Sequence, residues 1–218
     1  MMIKLSPRLL AAAHCVPCGA RVIDVGTDHG KLPVWLVQNN IASHVWAGDI
    51  RPGPLSSAQA LIEAEHLADK ISVRLTDGLQ GFSEADCDTV TICGMGGENI
   101  AEILAAAPWL KHDILLILIP HTKSECLRKW LFENRFEIMT EQLVKDNGRI
   151  YPVLTAKYGS PARCSKLEYY TGAMDKIQTD PLFSEYLEML YHKFAAAAPY
   201  DNGSAALLAD VQILKGEL

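Results

Sequence analysis

The sequence predicts an α/β fold: a parallel sheet with helices on both faces, closed by an antiparallel hairpin and followed by a small helical unit. Three observations carry this. Short apolar runs alternate with helix-length amphipathic segments as far as residue 134, the pattern of successive β–α units. Asn147-Gly148 separates two extended runs, and Asn-Gly tolerates the positive φ that a two-residue hairpin turn demands. Beyond Gly159-Ser160-Pro161 no strand-like run remains, and apolar residues recur at helical spacing.

The elements follow in order. Ser6 is placed to cap a first helix and Pro7 to open it, with the helix reaching about residue 14. Residues 21–25 form a strand entering Gly26, and 32–39 a helix. A second strand, 45–50, contains Asp49, and a helix over 54–66 follows. The third strand, 71–75, precedes Thr76-Asp77-Gly78. Residues 88–93 form a strand entering Gly94, followed by a helix over 98–107, a strand over 114–119 and a helix over 123–134. Extended runs 136–146 and 149–158 make the hairpin. Leu167, Tyr170, Met174 and Ile177 mark one further helix. Asp180 and Pro181 start a second as cap and first residue, and 205–215 form a third. The chain thus divides into residues 1–160 and an antiparallel, coiled-coil-like helical domain, 161–218.

Composition narrows the classes. The 218 residues are 49% hydrophobic and 21% charged, a globular balance with room for one full domain and an appendage. No apolar run approaches the roughly 20 residues that cross a bilayer. The apolar stretch at 9–13 is too short for a signal-peptide core. A cytoplasmic protein with no membrane partner is expected, its six cysteines reduced. Cys15-Val16-Pro17-Cys18 is a lone C-x-x-C; without a second pair it does not make a four-ligand zinc site, and no metal is expected. The formal net charge is −6. Residues 60–120 carry ten acidic and three basic side chains, and 121–166 five acidic and nine basic. That asymmetry fits a face meeting phosphates, and equally an ordinary solvated surface.

The chemistry centres on Val22-Ile23-Asp24-Val25-Gly26-Thr27-Asp28-His29-Gly30, a strand running through a glycine turn into a helix. Glycines let the backbone approach a ligand closely. The spacing is neither G-x-G-x-x-G nor a P-loop. Asp49, about twenty residues on, ends the second strand where an acidic side chain bonds ribose hydroxyls. Asp77 ends the third, where a carboxylate can accept an adenine amino group. Three carboxylates at successive parallel strand ends, Asp24, Asp49 and Asp77, define a site at the sheet's carboxyl edge, and we expect S-adenosyl-L-methionine in it. Arg8, Gly26, Thr27, Gly30, Ile50, Gly78, Leu79, Gly94, Met95 and Gly96 complete the expected cofactor-binding set. The fourth strand ends in Cys93-Gly94-Met95-Gly96-Gly97, without the [N/D]-P-P-[F/Y] clamp of exocyclic-amine methyltransferases.

The parallel sheet ending in a hairpin resembles class I methyltransferases, with their Rossmann-like sheet. More specifically, Ser6-Pro7-Arg8-Leu9, the run from Asp24 to Pro33, Gly48-Asp49-Ile50, Asp77-Gly78-Leu79, Gly94-Met95-Gly96-Gly97 and the hairpin stretch from Asp146 to Tyr151 resemble the TrmK family over nearly the whole chain. The resemblance implies a bacterial tRNA methyltransferase acting on N1 of adenosine 22, with tRNA as partner. It departs at Ile119-Pro120-His121, where the family often has Gln-Pro, so no target-base contact is carried over there. Asp28 is the expected catalytic residue, stabilising positive charge on the base, and His29 a candidate to stack on the base or relay a proton. The base must leave the stack to be reached. Lys123, Arg128, Lys129, Arg149 and Arg163 are expected to cradle tRNA, and a monomer is favoured. A methyltransferase for another RNA or a small molecule, or a non-catalytic S-adenosylmethionine-binding module, are the alternatives.

Overall fold

A computed structural model describes residues 3–161 and 164–216 of the chain. Five parallel strands are built from β1 (Ala20–Val25), β2 (Ala42–Asp49), β3 (Ile71–Leu75), β4 (Thr89–Cys93) and β5 (Leu115–Ile119). The hairpin strands β6 (Phe136–Asp146) and β7 (Arg149–Tyr158) complete a seven-stranded sheet of order β3-β2-β1-β4-β5-β7-β6. β7 runs antiparallel to β5, and β6 antiparallel to β7. Asn147 and Gly148 both take positive φ, 49° and 74°, as a tight turn in right-twisted strands requires.

Strand periodicity distributes the core. Ile23 and Val25 of β1 face one apolar layer with α4 (Gly97–Ala105) and α5 (Ser124–Glu133). Val22 faces the other, with α1 (Pro7–Cys15), α2 (Lys31–Gln38) and α3 (Pro52–Ala64). Asp24 also faces this second layer and is buried. The strand order reverses between β1 and β4, and at such a switch point the loops diverge and leave a crevice at the carboxyl edge. Ser6 occupies the cap position of α1 as expected, but its hydroxyl makes no cap hydrogen bond.

The C-terminal helices are α6 (Glu168–Thr171), α7 (Met174–Ile177), α8 (Phe183–Ala197) and α9 (Asn202–Gly216). The single helix expected from Leu167 to Ile177 is therefore two short turns. Gly172, at φ +90°, separates them and lets the chain pass close to Glu141: a Cβ there would lie 2.7 Å from Glu141 Oε2. Asp180 and Pro181 precede α8, which begins at Phe183 with Leu182 at its cap position, and Asp180 holds the turn that leads into it. Its Oδ1 accepts from Leu182 N (2.8 Å) and its Oδ2 from Leu143 N on β6 (2.8 Å). The helices form a third core around Ile177, Phe183, Leu187, Leu190, Leu207 and Val211, and Leu143 of the hairpin joins it.

Candidate active site

At the switch point lies a cavity of about 700 Å³, within the roughly 300–1,000 Å³ typical of ligand pockets. Arg8, Gly26, Asp28, Asp49, Ile50, Asp77, Gly78, Leu79, Gly94 and Met95, all expected from the sequence, line it. A smaller cavity of about 60 Å³ next to it is lined by Asp24, Thr27 and His29 together with Arg8, Gly26 and Asp28. Gly30 and Gly96 line neither: they sit at the caps of α2 and α4, Gly30 against Ala58 and Gly96 against Thr122.

Each carboxylate has a distinct setting. Asp49, buried at the end of β2, accepts the Arg51 backbone N–H on Oδ1 (2.9 Å). Asp77 is exposed on the loop after β3. Asp28 sits in the turn at φ +52°, a left-handed conformation that Asp tolerates better than most residues. Its side chain is 70% exposed, with His29 Nε2 3.6 Å from its Oδ1. Asp24 is enclosed. Burial pushes its carboxyl up from 3.8 to about 6, against the opposing hydrogen bond from Thr91 Oγ1 (2.7 Å). On the same wall, burial and then Asp24 hold the Cys93 thiol well above its ordinary range, so it stays protonated and serves as packing.

These residues fit a nucleoside-bearing cofactor. Gly26 takes φ +72°, a conformation that side-chain-bearing residues rarely adopt, so the turn that forms one wall favours glycine. Asp49 brings a buried carboxylate to the cavity from the strand end where hydroxyl recognition is expected.

Arg8 links this cavity to the hairpin. Its Nε lies 3.2 Å from Asp146 Oδ2, and its Nη1 donates to His121 Nε2. His121 also packs on Tyr151, ring centroids 5.1 Å apart, and lines the cavity. Sequence reading registered His121 only as a departure from a pattern. Asn99, Glu102 and Ile103 of α4 line the cavity too; nothing in their local sequence sets them apart from an ordinary helix face.

The expected tRNA cradle separates into different fates. Lys123 and Arg149 line a second cavity beside the first. Lys129 is exposed on α5, 3.8 Å from Glu133. Arg163 lies outside the described residues. Arg128 is not available to RNA: it is fully buried, with Nε and Nη2 donating to Glu141 Oε1 (2.9 and 2.5 Å) and Nη1 to the Tyr169 and Tyr170 carbonyls (2.8 and 3.1 Å). Cys15 and Cys18 remain thiols, and among the described residues no group of three or more His, Cys, Asp or Glu side chains converges as a metal site would.

The reversed strand order, the carboxylate-lined crevice and the terminal hairpin define a class I methyltransferase architecture, and residues 5–154 match the family model described as "Methyltransferase domain". The chain is 40% identical over 158 residues to the Bacillus subtilis tRNA (adenine(22)-N(1))-methyltransferase, which covers 72% of this chain and 66% of that protein. The chain thus spans slightly under two thirds of that relative's length. The B. subtilis m1A22 tRNA methyltransferase TrmK superposes with a TM-score of 0.72 at 30% identity, covering 98% of this chain and 97% of that one. The Streptococcus pneumoniae protein Sp1610 in complex with S-adenosyl-L-methionine superposes with a TM-score of 0.89 at 31% identity, covering 97% and 100%. The chain belongs to the TrmK family.

Proposed function

We propose that this protein transfers the methyl group of S-adenosyl-L-methionine to N1 of adenosine 22 in tRNA. The observation that carries the reading is the crevice at the β1/β4 switch point, where buried Asp49, Asp77 and the Gly26 turn converge in a chain so similar to the B. subtilis enzyme. When bound, the cofactor supplies an electrophilic methyl group on a positively charged sulfur. Asp49 would accept its ribose hydroxyls, and Asp77, Gly78 and Leu79 would border its adenine. Adenine N1 carries its own in-plane lone pair, so no general base is needed for attack. The base gains positive charge as the new bond forms. Asp28, the exposed carboxylate at the cavity wall, would stabilise that charge, and His29 beside it would stack on the base or relay a proton. The open glycine floor at Gly94 takes the place of the amine clamp that N1 chemistry does not require. Much of the acceleration comes from holding the reactants aligned.

We further propose that residues 1–160 form the catalytic domain and 161–218 a helical domain that grips tRNA, in a monomeric cytoplasmic enzyme. No helix of the described residues is long and apolar enough to cross a membrane. The test is incubation with labelled cofactor and unmodified tRNA, followed by mapping of the methylated nucleoside. Label at N1 of adenosine 22 is expected. Label on another RNA position or on a metabolite pool, or tight cofactor binding without turnover, refutes the reading.

A further inference from the structure

The second cavity, about 720 Å³, is as large as the first and has no assigned occupant. It lies between the loop after β5, the tip of the β6–β7 hairpin and the flank of α8, with Lys123, Arg149, Tyr151, Met189 and Lys193 in its wall. Its lining and that of the switch-point cavity have a single residue in common, His121. We infer that this second cavity receives the acceptor nucleoside and the RNA strand beside it, and that His121 positions the base where the two cavities meet. The inference rests on the tRNA methyltransferase reading above.

Charge supports RNA as the occupant. The acidic side chains of the wall are matched by lysines: Glu125 by Lys193, Glu185 by Lys145 and Glu188 by Lys215. Arg149 makes no ion pair among the described residues and is exposed, so its guanidinium is free for a phosphate. Ring faces support an unstacked base. Tyr151 and His121 lie against each other at the boundary a flipped nucleobase must cross, and aromatic faces are what such bases stack on.

The setting of His121 supports a positioning role. Its backbone N–H donates to the Met95 carbonyl (2.8 Å), which ties the loop after β5 to the glycine floor after β4. An arginine cannot accept a hydrogen bond, so Arg8 fixes His121 Nε2 as acceptor and places the ring proton on Nδ1. Arg8 is itself held by Asp146 of β6. Burial, then Arg8 and Arg149, lower the imidazole's tendency to protonate, with Asp146 opposing. The result is a neutral ring in one orientation with one N–H donor remaining, which matches adenine N3 or N7 and leaves the N1 lone pair free to attack.

The full-length protein, an unmodified tRNA transcript and S-adenosyl-L-methionine test this. Met189 is 44% exposed on α8, so Met189→Trp adds bulk at the cavity without disturbing a core. It should leave cofactor affinity unchanged and lower kcat/KM for tRNA by about tenfold or more. His121→Ala should lower kcat by about tenfold with little change in KM, while His121→Gln, whose amide restores an N–H donor, should recover most of that loss. An unchanged kcat/KM in Met189→Trp overturns the cavity assignment. An alanine defect that glutamine does not recover, or no alanine defect at all, overturns the role of His121. Should the alanine variant fail to fold, a loss of kcat in His121→Gln comparable to that of His121→Leu serves as the overturning result. Wild-type protein that methylates tRNA while the variants match it sinks this inference alone. Wild-type protein that methylates no tRNA sinks the underlying reading.

Discussion

Three aspartates at the carboxyl edge of the sheet, Asp49 and Asp28 in the crevice and Asp24 in the small cavity beside it, take three different burdens, and each makes a separate prediction. Asp49→Ala removes a buried acceptor for cofactor hydroxyls. A charged hydrogen bond is worth roughly 1.5–3 kcal/mol, so calorimetry on the folded variant should show cofactor affinity falling by at least about tenfold. Asp28→Asn keeps the shape of an exposed side chain and removes its charge. Cofactor affinity should stay near wild type while turnover falls steeply; turnover within about threefold of wild type, roughly 0.6 kcal/mol, rules out Asp28 as the electrostatic catalyst. Asp24 concerns stability. Its folded pKa, about 6, lies above its ordinary 3.8, so the fold favours the protonated form. Folding stability therefore falls as pH rises from about 4 to 6 and stays lowered above that window, by roughly 3 kcal/mol. Asp24→Asn can still accept from Thr91, and should melt higher than wild type at pH 7 and equal to it near pH 4. The positions of Asp49 and Asp77 were legible in the sequence because strand ends can be read from where apolar runs stop. The enclosure of Asp24 was not: it depends on Thr91, its register partner on β4, 67 residues away.

Between elements, the buried Arg128–Glu141 pair joins α5 to β6 and, through the Tyr169 and Tyr170 carbonyls, to the end of α6. Local sequence showed a basic helix surface, because Glu141 and the two carbonyls reach Arg128 only after folding. Truncating one partner of such a pair strands the other, at a cost of about 3–5 kcal/mol. Arg128→Ala should therefore lower the denaturation midpoint sharply, while Arg128→Met with Glu141→Leu should recover much of the loss. Neither change should alter the salt dependence of tRNA binding. Arg149→Ala should reduce that slope by about one. A reversed pattern in a salt titration would return Arg128 to the RNA surface. The turn and the two strands of the hairpin, by contrast, were legible, since Asn147-Gly148 and its flanking runs specify them directly, while the register shift between Ile138 and Thr140 was not. The split between α6 and α7 escaped because one glycine amid helical spacing is a weak break until Glu141 is placed against it.

For the molecule as a whole, the C-terminal helices share a core with the hairpin through Leu143 and cap the Arg128 cluster. Truncation after Ser160 should leave cofactor affinity unchanged, lower thermal stability, and weaken tRNA binding in a salt-sensitive way. A soluble, folded truncation that binds tRNA as tightly as the full chain, with the same salt slope, excludes the gripping role. The order of the sheet has a further consequence, for synthesis. Leu116, Ile117 and Leu118 of β5 pair with Ala156, Thr155 and Leu154 of β7 respectively, the last strand among the described residues to leave the ribosome. The five parallel strands precede it in the chain, so during translation they can assemble with one apolar flank unpaired. An unpaired edge is a template for joining another chain. A chain that ends before Leu154, or a ribosome paused within the hairpin, thus leaves a nearly complete sheet with an apolar border bare, and newly made chains are most exposed to aggregation in that interval.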